Sequence, residues 1–490
     1  MTSFVEAARR EKLAELVKRG VVPFAYRFDR TGPIQAALEG FREADATVHR
    51  LAGRLILLRS MGKTAFGHLE DRSGKIQVYF KVDALGAGQY EMVKLLDLGD
   101  VIGVEGPLFR TKTGEVTVRV ERFTLLTKSL RPLPLGKEDA QGVRHGELSD
   151  PELRARQRYA DLAVHPEVRE VFRLRARVVG YIRKFLDARG YLEVETPVLQ
   201  PVYGGASARP FITHYEALDT DVYLRIADEL YLKRCIVGGL EKVYEIGHDF
   251  RNEGTDRFHN PEFTMAEWYE AFADYDVMLQ LTEELLSGMV QELFGTTTLE
   301  RHGATLDFKR PFARQDYYVL VRETAGIDLA RVTEVELRAA LKRKEVAEAD
   351  QLSGAKLVDE VFKHYVEPTL VQPTFVLDYP VALSPLAKLK RGDPTRVERW
   401  ELFIQKREIA NAFSELNDPE EQRRRFEQQA RLRAAGDAEA QQLDEDFIRA
   451  LEYGMPPTGG VGLGLDRLQM ILADQSHIRD VILFPMLRPE

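Results

Sequence analysis

A chain of 490 residues with 69 Lys and Arg against 78 Asp and Glu carries −9 at neutral pH, which excludes a uniformly basic nucleic-acid coat but not a local basic face. Hydrophobic residues at 44%, charged residues at 30% and a mean hydropathy of −0.30 exclude a disordered or collagen-like chain. No apolar run is long enough to span a membrane, and the single cysteine, Cys235, excludes an intramolecular disulfide framework and Cys-rich zinc or iron–sulfur sites.

Residues 1–45 read as a helical extension. Charges run through MTSFVEAARREKLAELVKRG where a signal peptide needs an apolar core, so the expected setting is a reducing, cytoplasmic one. The same segment predicts an amphipathic helix with Val5, Ala8, Leu13, Leu16 and Val17 as its apolar stripe, stopped by Gly20 with Pro23 beyond.

From about Val48 to Leu126 short alternating runs separated by Gly, Asp and Ser turns predict a small barrel or sandwich, and a five-stranded barrel is the form an oligonucleotide-binding fold would take. Residues 50–130 hold 13 Lys and Arg against 9 Asp and Glu, so this stretch is +4 and the remainder −13. Exposed Phe, Gln and Arg on such a barrel suit an oligonucleotide, whose bases stack on rings while its phosphates meet cations. A structural β domain with a mildly positive face is the alternative. The stretch TKSLRPLPLGKEDAQG, with its Pro breaks, marks a linker.

The larger domain opens with a helix whose Val171, Leu174, Val178, Ile182 and Leu186 share one face, stopped by Gly190. The strand YLEVETPVL follows, then mixed segments to Tyr269, a helix-rich middle from about Tyr275 to Gln351, strands near 374–416, a charged helix over about 419–452 and a glycine-rich end. Strands broken by long helical stretches predict α+β rather than regular βαβ winding. There is no Walker A loop, and GGVGLGLDR lacks the spacing of a dinucleotide fingerprint.

Around the turn GTDRFHNP, strand alternation places Glu245, Asp249, Arg251 and Glu253 on one face and Phe263, Met265, Glu267 and Tyr269 on one face of the next stretch. In REIANAFSELND, Asn411, Phe413 and Glu415 share a face. Carboxylates interleaved with rings fit neither an ordinary core strand nor an ordinary solvent strand. A half-exposed hairpin with salt bridges is the bland reading.

These residues carry a resemblance. ETPVL with its preceding helix, FRNE…RFHNPEFT and GVGLGLDRL are similar, in this order, to motifs 1, 2 and 3 of the class II aminoacyl-tRNA synthetases. YGGASARPFITH, RIADELYLKR, FRNEGTDRFHNPEFTMAEWY, REIANAFSELND and YGMPPTGGVGLGLDRL resemble the bacterial lysyl-tRNA synthetases, from about residue 48 to the C-terminus. The chain departs from that family's text at His248 and Asp249, where Arg or Asn-like residues are usual, and at Ala410 and Ala412.

The resemblance implies an α+β protein with an N-terminal OB-fold anticodon-binding barrel (46–130), a linker (131–165) and a class II catalytic domain (166–490) built on an antiparallel sheet flanked by helices. Motif 1 would span about 175–199, motif 2 about 243–270, a helical insertion about 275–351 and motif 3 about 458–474. Lysine would be activated with ATP and transferred to tRNA(Lys) by a cytoplasmic homodimer joined through motif 1, around Pro197. By the same resemblance Arg251 would grip the α-phosphate and the amino-acid carboxylate, and Arg467 would cover the adenine near the γ-phosphate. Glu253 would read the adenine amino group, Phe263 would stack on the ring, His259 and Asn260 would sit by the phosphates, and Gly462 and Gly464 would let the backbone approach. Glu401 and Glu408 match the family's Mg2+ ligands. Gly205 and Glu229 would take the α-amino group of lysine and Glu415 with Tyr269 its ε-amino group, with Glu267, Asn411 and Phe413 completing the pocket. On the barrel, Arg59, Phe66, Gln77 and Glu115 would read a U-rich anticodon. Aspartyl and asparaginyl synthetases share these motifs, but an aspartate carboxylate would be repelled by Glu229 and Glu415.

Overall fold

The computed structural model describes residues 4–138, 144–347, 349–434 and 441–489. It divides into two compact units, Met1–Pro166 and Glu167–Glu490.

In the first unit, β1 (Val48–Met61), β2 (Thr64–Glu70), β3 (Lys75–Lys81), β4 (Val101–Arg110) and β5 (Val116–Val120) close in the order β1-β2-β3-β5-β4, with β1 pairing back onto β4; β6 (Arg122–Thr127) adds to β4. Alternation decides which way each side chain points: Ala65, Leu69, Val78 and Phe80 enter the barrel core, while Phe66, His68, Gln77 and Tyr79 remain outside. Closure removes the free edges of five short strands.

The N-terminal helix α1 (Phe4–Lys18) is held differently from the expected apolar stripe. Leu16 is buried, but Val5 and Val17 are exposed, and the other buried residue is Arg9. The Arg9 guanidinium donates to the carbonyls of Leu98 and Ser129, both at 2.9 Å, and Lys12 pairs with Asp97 at 2.7 Å. Charged hydrogen bonds to otherwise unpaired carbonyls take the place of apolar burial. The expected linker holds a hairpin (Leu135–Glu138 with Arg144–Glu147) and two short helices, the first capped by Asp150, whose side chain accepts from Leu153 N; residues 139–143 of the linker lie outside the described ones.

The second unit is built on eight strands: β7 (Leu192–Glu193), β8 (Lys242–Phe250), β9 (Glu262–Ala271), β10 (Ala313–Asp316), β11 (Thr374–Leu377), β12 (Arg399–Ile404), β13 (Arg407–Ser414) and β14 (Thr458–Gly464), in the order β10-β11-β12-β13-β14-β9-β8-β7. The five interior pairings are antiparallel; the two edge pairings, β7 with β8 and β10 with β11, are parallel, so the sheet is mixed rather than purely antiparallel. One face packs on α2 (Pro166–Asp187), through Val178, Ile182 and Leu186, and on α4 (Tyr275–Phe294), through Met278, Leu285 and Met289. The stretch expected as a helical insertion over 275–351 is more mixed than its pattern: after α4 come a hairpin (Thr298–Arg301 with Ala304–Asp307) and β10, and its helices continue as α5 (Tyr317–Ala325), α6 (Glu334–Arg343) and α7 (Ala355–Tyr365). The charged segment after 418 forms α8 (Pro419–Ala434) and α9 (Glu445–Glu452), with residues 435–440 outside the described ones. α10 (Leu465–Leu472) joins the core of α2 and α4 through Leu465, Leu468 and Ile471, whereas α3 (Glu229–Val237) packs in a separate core with Val243 and Tyr269.

Candidate active site

Strand register assembles the site. Glu245, Glu267, Gly462, Asn411 and Glu401 lie directly opposite one another across β8, β9, β14, β13 and β12, and the row beside it runs Val243, Tyr269, Gly460, Phe413 and Arg399. The glycines hollow out the middle of both rows. A Cβ at Gly460 would overlap Glu415 Oε1 and the Tyr269 ring, so only glycine leaves room for them. In β13 an extra residue between Glu408 and Ala410 makes a bulge; Asn411 Nδ2 donates to Glu408 Oε1 at 3.4 Å, which places Glu408 beside the row from which strict alternation would turn it away.

Two cavities result. One of about 190 Å³ is lined by Arg251, Glu253, His259, Asn260, Phe263, Glu408 and Arg467. The other, of about 570 Å³, is lined by Gly205, Glu229, Glu267, Tyr269, Glu401, Phe413 and Glu415. They share Arg251, Met265, Asn411 and Gly462 as a common wall.

The smaller cavity sets Arg251 and Arg467 beside Glu253, Glu408 and Asp466. The Arg251 guanidinium lies 5.0 Å from the centre of the Phe263 ring, its Nε is buried without a hydrogen-bond partner, and it has no carboxylate within ion-pair distance among the described residues. Arg467 Nη2 donates to His259 Nε2 at 2.9 Å, which puts the imidazole proton on Nδ1, facing Asp256 at 2.8 Å. Asn260 Nδ2 is occupied by the carbonyl of Glu262 at 2.6 Å, an arrangement that shapes the loop. Glu253 is exposed and accepts from the Arg209 amide at 3.4 Å. Thr264 N donates to Asp466 at 2.7 Å, and Arg175 joins Asp466 at 2.5 Å and Thr264 Oγ1 at 2.8 Å, tying the three motifs together.

The larger cavity is anionic. Glu229, Glu267 and Glu415 are buried, and Glu415 Oε1 has no hydrogen-bond partner. Tyr269 donates to Glu267 at 3.2 Å. Burial pushes the Glu415 carboxyl up to about 8, with Lys233 pulling it down and Glu229 pushing it further up. Burial, then Asp249 and Glu229, hold Glu267 well above the usual carboxylate range.

At the junction, Glu401 pairs with Arg399 and accepts from Tyr379 at 2.7 Å, while Glu408 meets Arg467 at 3.3 Å. Burial pushes Glu401 up to about 7, Arg399 opposing and Glu408 adding to it. For Glu408 burial acts in the same direction, but Arg467 and Arg399 outweigh it and hold the carboxyl below its usual range.

Several members of the site were missed in the sequence. Lys233 Nζ, fully buried, lies 2.5 Å from both Glu229 and Glu415. Its one signal was the four-residue spacing from Glu229 on one helix face. Arg225 gathers Asp228 at 2.8 Å, Glu245 at 2.6 Å and Asp249 at 3.4 Å, and Gly247 leaves the space for its guanidinium. Burial, then Asp249 and Glu267, push Asp228 up to about 10; burial pushes Asp249 up to about 6 against Arg225 and Arg251. The departure at Asp249 thus belongs to a buried cluster around one arginine.

On the barrel, Arg59 stands opposite Phe66 and Phe66 opposite Tyr79, with the two rings 4.6 Å apart. Gln77 donates to Glu115 at 2.6 Å, and His68 meets the other Glu115 oxygen at 2.9 Å. Tyr79 and His68 were not singled out from the sequence, although alternation from Phe66 and Gln77 reaches both.

Two family descriptions match the chain: tRNA synthetases class II (D, K and N) over residues 150–488, and an OB-fold nucleic acid binding domain of the anticodon type over residues 49–126. It is 52% identical over 486 residues to a lysine–tRNA ligase of Moorella thermoacetica, covering 99% of this chain and 98% of the relative. A lysine–tRNA ligase of Pelotomaculum thermopropionicum is 52% identical over 486 residues (98% and 94%), and one of Carboxydothermus hydrogenoformans 51% over 483 residues (98% and 97%).

Proposed function

The chain belongs to the class II tRNA synthetases of the D, K and N group, and from that premise we propose that it activates L-lysine with ATP and transfers it to the 3′-terminal adenosine of tRNA(Lys). The observation that supports lysine among the three amino acids of the group is Glu415: a buried carboxylate without hydrogen-bond partners, whose Oε2 lies at ion-pair distance from Lys233 and whose Oε1 is set against Tyr269 and Gly460 in the anionic cavity. An ammonium satisfies Oε1, whereas an acidic side chain would be repelled.

In this reading lysine lies with its ε-ammonium at Glu415 and Tyr269, its α-ammonium at Glu229 beside Gly205, and its carboxylate toward Arg251. Glu267, Asn411 and Phe413 close the cavity around it. ATP occupies the smaller cavity, its adenine between Phe263 and Arg467 with Glu253 at the amino group, and its phosphates near His259 and Asn260. The lysine carboxylate is already ionised, so no general base is needed: a carboxylate oxygen attacks the α-phosphorus, pyrophosphate leaves, and Arg251 stabilises the charge on the pentacoordinate phosphorus. A hydroxyl of the terminal adenosine then attacks the acyl carbon and AMP departs.

Glu401 and Glu408 would hold Mg2+. The donor set fits: two hard carboxylates repel each other, which a divalent cation relieves, and among the described residues no group of three or more ligand side chains forms a complete cage, so phosphate oxygens would supply the rest. Bound there, the ion neutralises phosphate charge.

We assign residues 46–130 to anticodon binding, with Arg59, Phe66, Gln77 and Glu115 on the reading face, and residues 166–490 to catalysis. We also propose a homodimer through motif 1, supported by exposed Leu192, Val198 and Leu199 along the sheet-edge strand and the segment after it, and a cytoplasmic setting. No described helix is long and apolar enough to cross a membrane.

The test is ATP–pyrophosphate exchange across all amino acids without tRNA. Lysine is expected to support it; exchange with aspartate or asparagine but not lysine refutes the reading.

A further inference from the structure

We propose that Lys233 is a specificity-determining positioning residue: bridging Glu229 and Glu415 from behind, it favours the ionised form of Glu415 and holds both carboxylates in place for the two ammonium groups of the substrate. The inference rests on the reading of the larger cavity as a lysine site.

The geometry carries it. Lys233 sits one helical turn after Glu229 on α3, and its Nζ contacts Glu229 Oε1 and Glu415 Oε2, each at 2.5 Å. It is fully buried, whereas Glu229 and Glu415 form the cavity wall. Glu229 Oε1 accepts a hydrogen bond from Lys233 and Glu415 Oε2 lies at ion-pair distance from it, while neither Glu415 oxygen has a hydrogen-bond partner. Two carboxylates on one buried wall repel, and without a shared cation one of them takes up a proton. A protonated Glu415 would hold an uncharged side chain nearly as well as an ammonium, and selectivity for a cationic substrate would fall. One fixed positive charge behind the wall opposes this. Because it lies behind the wall, it does so without filling the substrate's place.

The groups facing Glu415 define how this reads out against pH. They are Lys233 and Glu229 from α3, and Tyr269 from β9, which itself faces Glu267. Lys233 alone pulls the Glu415 carboxyl down; Glu229 pushes it up. Removing the ammonium therefore moves the loss of lysine binding, which accompanies protonation of Glu415, to higher pH.

The experiment measures KM for lysine and for ATP against pH in the exchange reaction, for the wild-type chain, Lys233→Met and Lys233→Arg. Lys233→Met is expected to raise the lysine KM at neutral pH on the order of a hundredfold, as for loss of one partner of a buried charge pair. The ATP KM should stay unchanged, the bend in lysine KM should move to higher pH, and preference for lysine over norleucine should fall. Lys233→Arg, which keeps the charge, should return the bend toward its wild-type position. If both KM values worsen together and the bend stays put, the residue is merely structural and the proposal is overturned. Should Lys233→Met not fold, Lys233→Gln keeps polar contacts without the charge and must show the same shift; an unmoved bend there overturns the proposal equally. Failure of wild-type exchange with lysine would instead refute the proposed substrate.

Discussion

The two candidate sites solve different recognition problems with strands. On the barrel, Phe66 and Gln77 stand half-buried on the outer face, Glu115 is exposed, and the polar atoms of Gln77, Glu115 and His68 already bond to one another. In the second unit, Glu267 on the sheet, Glu229 on α3 and Glu415 just past β13 are buried and their carboxyls are surrounded by other charges. A stacking surface needs only alternation and exposed rings, because every base has a π-face. A cavity selective for a cation needs desolvated carboxylates, whose cost is met by counter-charges such as Lys233 and Arg225. Substitutions on the sheet should therefore affect the chemistry, and substitutions on the barrel should not.

Arg251→Ala tests the sheet most severely. It removes the one cation that, among the described residues, both cavity walls share and should lower exchange about a thousandfold, the effect of losing one fixed donor to a developing oxyanion. Retention of near-normal exchange would put the chemistry elsewhere. Glu415→Gln comes next: kcat/KM for lysine should drop by about 2–5 kcal/mol, with ATP affinity intact. An unchanged lysine KM would remove Glu415 from the ε-ammonium.

Phe66→Ala addresses the barrel. Aminoacylation should weaken through tRNA affinity by about 1–3 kcal/mol, the range for one base–aromatic stack, while exchange stays the same. Equal loss of both would erase the contrast between the two regions.

The smallest effect expected concerns stability. Asp228 is raised from the ordinary aspartate value of 3.8 to about 10, so the folded chain keeps a proton that the unfolded chain releases. The stabilisation is complete below the unfolded value and is lost as pH rises through the folded one. Asp228→Asn, which has no such proton to lose, should raise the thermal midpoint by a few degrees at about pH 9 and by less at about pH 5, followed by calorimetry. A midpoint lowered most at high pH would show Asp228 to be an ionised partner of Arg225.

Much of this was legible in the residues. Alternation put Phe263, Met265, Glu267 and Tyr269 on one face, and Asn411, Phe413 and Glu415 on one face; the register brings Glu267 opposite Gly462 and Asn411, and Tyr269 opposite Gly460 and Phe413. The period of α2 identified its buried side, since Val178, Ile182 and Leu186 are all core residues. The apolar stripe expected for α1 failed because Arg9 can saturate carbonyls of a loop more than eighty residues away, and no local period reports that. The helical middle was read as too uniform because β10 is only four residues long and its partner strand lies some sixty residues on.

By itself the sequence determined the classes of element, the faces of the strands and the order of the three motifs, because these depend on local sterics and on spacings of two and 3.6 residues. Tertiary structure alone decided which faces meet. Only the register of β9, β14 and β13 shows that Gly462 stands between Glu267 and Asn411 and Gly460 between Tyr269 and Phe413, and only the fold brings Lys233 to Glu415 and Arg225 to three acids. Those contacts join residues far apart in the chain, and their energies depend on burial, which a linear pattern cannot specify.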